Sequence, residues 1–172
     1  MKLFTIGPVE LYQSTKEVRL HDFVYFRSKE YSEIVKNTLK KLSMLLGNNE
    51  PNSLIYFASS GTAVMEATVE NCVSENDKVL VINGGSFGHR FCELLEYHNK
   101  NYKSIDLKWN ETLTIEHLKT YENSDFTMLF VNLNETQTGQ LYDIKMLSKF
   151  CKRNNMMLVV DAISTFLADE YD

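Results

Sequence analysis

The chain lacks the excess of basic residues that marks a nucleic-acid-binding surface. Its 18 Lys and Arg residues are outnumbered by 23 Asp and Glu residues, and the formal net charge is −5. The basic residues are also scattered, so we exclude nucleic acid as a partner. Long apolar runs are missing too, which excludes a bilayer-spanning helix. The amino-terminal MKLFTIGPVE holds too short an apolar stretch to be expected to act as a signal peptide.

The chain is also poor in residues that build disulfide frameworks or metal sites. Its 3 cysteines are odd in number and far apart in the sequence, which argues against both. A reducing, cytoplasmic location is therefore the expectation. The nearest two histidines, His89 and His98, are too widely spaced for a zinc site, so we expect no metal.

What the chain does contain is an alternation of strand-like and helix-like segments over 172 residues that are 44% hydrophobic. The alternation predicts an α/β fold with three αβα layers and a mostly parallel sheet, because helical crossovers must pack back on both sheet faces. An amphipathic helix is predicted before it, capped by Ser28 and stopped by Gly47. Residues 1–28 are expected to form an amino-terminal arm. The predicted strands are SLIYFA (53–58), KVLVIN (78–83), YKSIDL (102–107), FTMLFVNL (126–133) and MMLVVD (156–161).

Two of the predicted strand-to-helix loops have features of a ligand site. The loop ASSGTA places small residues around Gly61 at a helix start, where backbone N–H groups and the helix dipole attract an anion. Taken alone, this loop is more simply explained by a serine that caps the helix. The loop NGGSFGHRF surrounds Phe87 with glycines, which would let this ring lie over a planar ligand. Phe87 could instead belong to the core.

Two further loops follow the last predicted strands. NLNETQTGQLYD carries more hydrogen-bonding side chains than a turn requires, including Thr136, although Asn and Thr are common turn formers and Gly139 could take a positive φ. Asp161 stands at the carboxyl end of an apolar strand, where ligands bind in open parallel sheets. It could alternatively cap a following helix.

An anion cradle, an aromatic ring, a hydroxyl and a carboxylate at one sheet edge together suit pyridoxal 5'-phosphate. In this interpretation Asp161 keeps the pyridine nitrogen protonated, so that the ring can accept electron density from the substrate. A nucleotide-binding doubly wound domain is less well supported, because no GxGxxG turn follows the first strand.

The ordered motifs GPV, FRSKEY, SSGTAVMEA, NGGSFGHRF, NETQTGQLYD and VVDAIST resemble those of class V aminotransferases, which are fold type I pyridoxal phosphate enzymes. The nearest resemblance is to the alanine:glyoxylate and 2-aminoethylphosphonate:pyruvate transaminases. Such proteins act as homodimers on a small amino donor and a 2-oxo acid such as pyruvate or glyoxylate. The resemblance implies that residues 29–172 are the first part of a cofactor-binding large domain.

The resemblance also implies roles for particular residues. Asp161 would pair with the pyridine nitrogen, Phe87 would stack on the ring, and Thr136 would bind the phenolic oxygen. The remaining implied contacts are with the phosphate, from Ser60, Gly61 and Thr62, and, on weaker grounds, with the substrate, from Gly7, Pro8 and Arg27.

The sequence departs from the family pattern in two places. Phe87 stands where desulfurases of the family have histidine and other members often have tryptophan, which favours transamination. The 11 residues after Asp161 contain no lysine, so the Schiff-base lysine of the family is not in this chain. We therefore expect an amino-terminal portion that is inactive alone. The alternatives are a non-catalytic cofactor-binding or assembly module and a related pyridoxal phosphate lyase or desulfurase.

Overall fold

The computed structural model describes residues 9–47 and 54–168, and the chain divides into two compact units, residues 1–58 and 59–172. No helix in the described ranges is both long enough and apolar enough to cross a membrane. The sequence-based division into an arm and a large domain remains a prediction.

The first unit holds two helices, α1 (Gln13–Val18) and α2 (Lys29–Leu45). Helix α2 begins as predicted, because the Ser28 hydroxyl accepts a hydrogen bond of 3.1 Å from the Tyr31 N–H. Just beyond it, Gly47 has a φ of +65°. Helix α1 was not predicted, since residues 1–28 have no clear hydrophobic period.

The predicted strand at residues 53–58 is wrong over its described part. Residues 54–57 have no regular structure, and Ile55 is 81% exposed. A strand needs a neighbouring strand to satisfy its backbone N–H and C=O groups, and residues 54–57 pair with no strand in the described ranges. Apolar composition alone was therefore not sufficient to predict a strand here.

The second unit confirms the α/β prediction. Strands β1, β2, β3 and β6 form a parallel sheet in the order β2-β1-β3-β6. Strands β4 and β5 pair antiparallel as a separate hairpin, which was not predicted. The elements of this unit are α3 (Gly61–Cys72), β1 (Lys78–Asn83), α4 (Ser86–Tyr97), β2 (Asn101–Asp106), α5 (Ile115–Lys119), β3 (Met128–Asn132), β4 (Asn134–Glu135), β5 (Gln140–Leu141), α6 (Ile144–Arg153) and β6 (Met157–Asp161).

Helices cover both faces of the parallel sheet, because successive strand residues point to opposite sides. Leu80 and Leu129 belong to one apolar cluster together with residues of α5 and α6. Val81 and Phe130 belong to a second cluster with residues of α3 and α4. The interior residues of each central strand are therefore apolar on both faces, which explains why the continuous runs VLVI and MLFV identified these strands correctly.

The strand register brings the carboxyl ends of the strands to one edge of the sheet. Asn83 is paired with Asp106, and Asn132 with Asp161. The loops that begin α4 and the β4–β5 hairpin leave from this edge. The candidate site is built there.

Candidate functional site

Asp161 ends β6 and is half-buried. Its Oδ1 atom accepts a hydrogen bond of 3.1 Å from the Ile163 N–H. The described residues that follow, 163–168, form turns rather than a helix, with the Thr165 N–H donating to the Ala162 carbonyl at 3.0 Å. Asp161 is thus held by an Asx turn, and the helix-cap alternative is wrong.

The start of α3 supplies backbone donors. Ser60 is the cap, since its hydroxyl accepts from the Ala63 N–H at 3.3 Å. Its carbonyl accepts from the Val64 N–H at 3.2 Å. No described residue accepts a hydrogen bond from the N–H of Gly61 or Thr62. The cap therefore leaves two helix N-terminal donors available, and a helix N-terminus attracts anions.

A cavity of about 290 Å³ connects the start of α3 with the end of β6. Gly61 and Asp161 both line it, so the structure brings these two predicted site residues together. A Cβ atom on Gly61 would lie 2.8 Å from the Cδ1 atom of Ile163, which leaves little room for a larger residue. The other lining residues are mostly apolar and include Phe91 and Val159.

Phe87 lies at the start of α4 and is half-buried, so it is not a fully buried core residue. It is also not among the residues that line the cavity. Phe91, one turn later, is the core aromatic: its ring packs edge-on against that of Phe130 with a centroid distance of 5.2 Å. The stacking role of Phe87 remains a prediction.

Thr136 lies in the turn of the β4–β5 hairpin. Its hydroxyl is 3.4 Å from that of Ser164, so the hairpin reaches the turn that follows Asp161. Gly139 has a φ of +73°, as expected for a turn glycine. The turn-forming interpretation of this loop is therefore correct, and the contact of Thr136 with a cofactor remains a prediction.

Glu135 is a buried carboxylate whose role as a helix cap is not evident from the sequence. Its side chain is 0% exposed and accepts hydrogen bonds from the N–H groups of Phe87, at 3.2 Å, and Gly88, at 3.0 Å. The neighbouring Gln137 accepts from the Ser86 N–H at 2.9 Å. The two glycines before α4 were the sequence signal for a close contact here, because a Cβ atom on Gly85 would lie 2.6 Å from Glu135.

Polar atoms without partners are buried near the same edge. Within the described ranges, neither the Oδ1 atom of Asn132 nor the hydroxyl of Tyr142 has a hydrogen-bond partner. Burial, with a smaller contribution from the charge of Glu135, raises the pKa of Tyr142 to about 12. Tyr142 is therefore a neutral phenol at ordinary pH. A Cβ atom on Gly84 would clash with the Tyr142 hydroxyl, so the space beside this hydroxyl fits only glycine.

The other predicted contacts are less informative. Ser60 and Thr62 are exposed. Arg27 belongs to the first unit, where its guanidinium lies 4.9 Å from the centroid of the Phe26 ring. Gly7 and Pro8 lie outside the described residues.

Comparison with known proteins identifies the family. Residues 8–172 match the profile described as aminotransferase class-V. The chain belongs to this family. A 2-aminoethylphosphonate–pyruvate transaminase of Bacteroides fragilis is 29% identical over 167 residues, which are 95% of this chain and 46% of that protein. A bifunctional phosphonoacetaldehyde hydrolase/aminoethylphosphonate transaminase of Clostridioides difficile is 31% identical, over 99% of this chain and 27% of its own length.

Solved structures support the same fold. The ureidoglycine–glyoxylate aminotransferase of Bacillus subtilis superposes with a TM-score of 0.84 at 22% identity, over 94% of this chain and 42% of that one. At that level of identity the similarity concerns the fold. The class V chain described here spans less than half the length of these relatives.

Proposed function

We propose that this chain is the cofactor-binding portion of a pyridoxal-phosphate-dependent transaminase. The amino donor would be a small primary amine, and the acceptor a 2-oxo acid such as pyruvate or glyoxylate. The observation that carries the proposal is the shared cavity of Gly61 and Asp161. An anion-attracting helix start and a strand-end carboxylate there fit the two ends of one phosphorylated pyridine.

The residues present fit pyridoxal phosphate. The open N–H groups of Gly61 and Thr62 suit its phosphate, and Asp161 offers a carboxylate with only Oδ1 bonded among the described residues. When bound, this cofactor supplies an electron sink for the carbanion that forms at the substrate Cα atom. Asp161 would hold a proton at the pyridine nitrogen, and Thr136 would hydrogen-bond the phenolic oxygen.

Binding can be tested on the chain as it stands with pyridoxamine 5'-phosphate, which cannot form an imine with lysine. We expect Asp161→Asn to raise the Kd of this probe about tenfold or more, because the asparagine amide can still accept a hydrogen bond but lacks the negative charge opposite the protonated pyridine nitrogen. The matched control is Asp106→Asn. Asp106 ends β2, which lies at the other end of the strand order from β6, so this change should alter the Kd less than about twofold. Circular dichroism checks that both variants fold.

Two results would count against the proposal: a wild-type chain that binds no more tightly than Asp161→Asn, or equal losses in the two variants. Removing the phosphate from the probe provides a second check. Pyridoxamine should bind more weakly than its phosphate ester, since the start of α3 then has no anion to hold.

The amino donor is best tested with a protein that carries these residues together with the rest of a family-length chain. The relatives named above make 2-aminoethylphosphonate the first donor to try, with alanine as the comparison. We expect no turnover from the 172 residues alone, because no lysine follows Asp161. A homodimer is also part of the proposal, and sedimentation of that longer protein would test it.

A further inference from the structure

Two neighbouring side chains of the hairpin hold the start of α4. Glu135 accepts from the N–H groups of Phe87 and Gly88, and Gln137 accepts from that of Ser86. We call the side chains of Glu135 and Gln137 the hairpin clamp. Gly85 precedes the helix and offers no side-chain cap of its own, so the cap comes from residues about fifty positions away in the sequence.

The clamp satisfies backbone donors that the helix cannot satisfy internally. The first N–H groups of any α-helix lack intrahelical partners, and the helix dipole favours negative charge beside them. Glu135 brings that charge into a fully buried position and also accepts from the Gln137 N–H at 3.2 Å. At 2.9 to 3.2 Å the bonds to the Ser86, Phe87 and Gly88 N–H groups have ordinary lengths, and because they hold three successive donors the start of α4 should have little freedom to move.

The clamp also fixes two predicted cofactor contacts relative to each other. In the sequence, Thr136 lies between Glu135 and Gln137. Phe87 lies between Ser86 and Gly88, whose N–H groups these two side chains bind. A shift of the hairpin would therefore move Thr136 and Phe87 together, whereas loss of the clamp would let them move apart. A bound ring needs both at once, one against its face and one at its edge.

We propose that Glu135 and Gln137 are positioning residues that hold Phe87 against the cofactor ring. This rests on the proposed function, and it assigns no direct contact with the ring to either residue. The room for the clamp is built into the fold, since a Cβ atom on Gly85 would meet Glu135 at 2.6 Å.

The clamp itself is tested without any ligand. Gln137 is exposed, so Gln137→Ala should fold normally. Loss of its bond should raise amide hydrogen exchange at Ser86 and Phe87 about three- to tenfold. The matched control is Gln140→Ala, in the same hairpin, because the Gln140 amide donates instead to the Glu111 carbonyl at 3.0 Å. Unchanged exchange at the start of α4 in Gln137→Ala would overturn the proposal.

The positioning role is tested by a double-mutant cycle with pyridoxamine 5'-phosphate as the probe. Gln137→Ala should raise its Kd about three- to tenfold when Phe87 is present. In a Phe87→Ala background the same change should have less than about a twofold effect, since no ring remains to be positioned. An equal loss in both backgrounds would show that Gln137 does not act through Phe87.

The role of Glu135 is tested with a conservative variant. Glu135→Gln keeps one acceptor oxygen and the shape of the side chain, so its Kd for the same probe should lie between those of wild type and Glu135→Ala. Equal binding by all three would overturn the role of Glu135. If the wild type itself binds no probe, the proposed function and the positioning role fail together. If it binds but shows no coupling, the positioning role alone fails.

Discussion

Replacing Gly85 with alanine should destabilise the second unit. The new Cβ atom would lie 2.6 Å from both Cδ and Cγ of Glu135 and 3.0 Å from its Oε1 atom. Glu135 cannot move into solvent to relieve the clash, because it is 0% exposed. Its oxygens also accept from two N–H groups of α4, so any displacement lengthens those bonds.

The magnitude follows from two costs and one opposing gain. Forcing an extra methyl group into a packed site costs about 1–3 kcal/mol. Weakening a hydrogen bond to the carboxylate adds to this cost, up to roughly 1.5–3 kcal/mol for a complete loss. The lower entropy of an unfolded chain with alanine offsets about 0.4–1 kcal/mol, because the extended φ of 170° suits alanine. We expect a net loss of about 2 kcal/mol.

Urea unfolding followed by circular dichroism measures this loss. The same substitution should cost less than about 0.5 kcal/mol in a Glu135→Ala background, where the clashing atoms are gone. Gly139→Ala is the matched control: apart from its chain neighbours, no atom of residues 9–47 or 54–168 lies within 4 Å of its Cβ position, so its cost comes from a φ of +73° and should persist in both backgrounds. A neutral Gly85→Ala, or a cost independent of Glu135, would refute the reasoning.

Two further predictions concern titration and thiol chemistry. The Ser74 hydroxyl is the main cause that holds the pKa of Asp77 below its usual 3.8, so Asp77 stabilises the fold above that pH and the contribution is lost as the pH falls towards the lowered value. The stability deficit of Asp77→Asn should therefore shrink below about pH 4 in urea titrations; a deficit unchanged at pH 3 would contradict this. Burial raises the pKa of Cys92 and Cys151 to about 11, so a disulfide reagent at neutral pH should label only Cys72 in the native chain and all three thiols in denaturant. Rapid native labelling of all three would be inconsistent with the buried positions.

The sequence by itself predicted those elements whose evidence is local. Strands β1 and β3 contain continuous apolar runs, residues 79–82 and 128–131, that are buried on both faces, and they form as predicted. Ser28 caps α2 because a helix cap depends only on residues within one turn. The apolar run before Asp161 likewise predicted that this residue lies at a strand end.

Only the tertiary structure decided which residues meet. Residues 54–57 look like a strand but have no strand partner in the described ranges, and pairing cannot be inferred from a segment alone. Glu135 looked like one polar loop residue among several, yet it caps a helix that begins about fifty residues earlier in the chain. Hydrophobic periodicity is a short-range property, whereas the partner of a buried carboxylate is set by how the sheet brings distant loops to one edge.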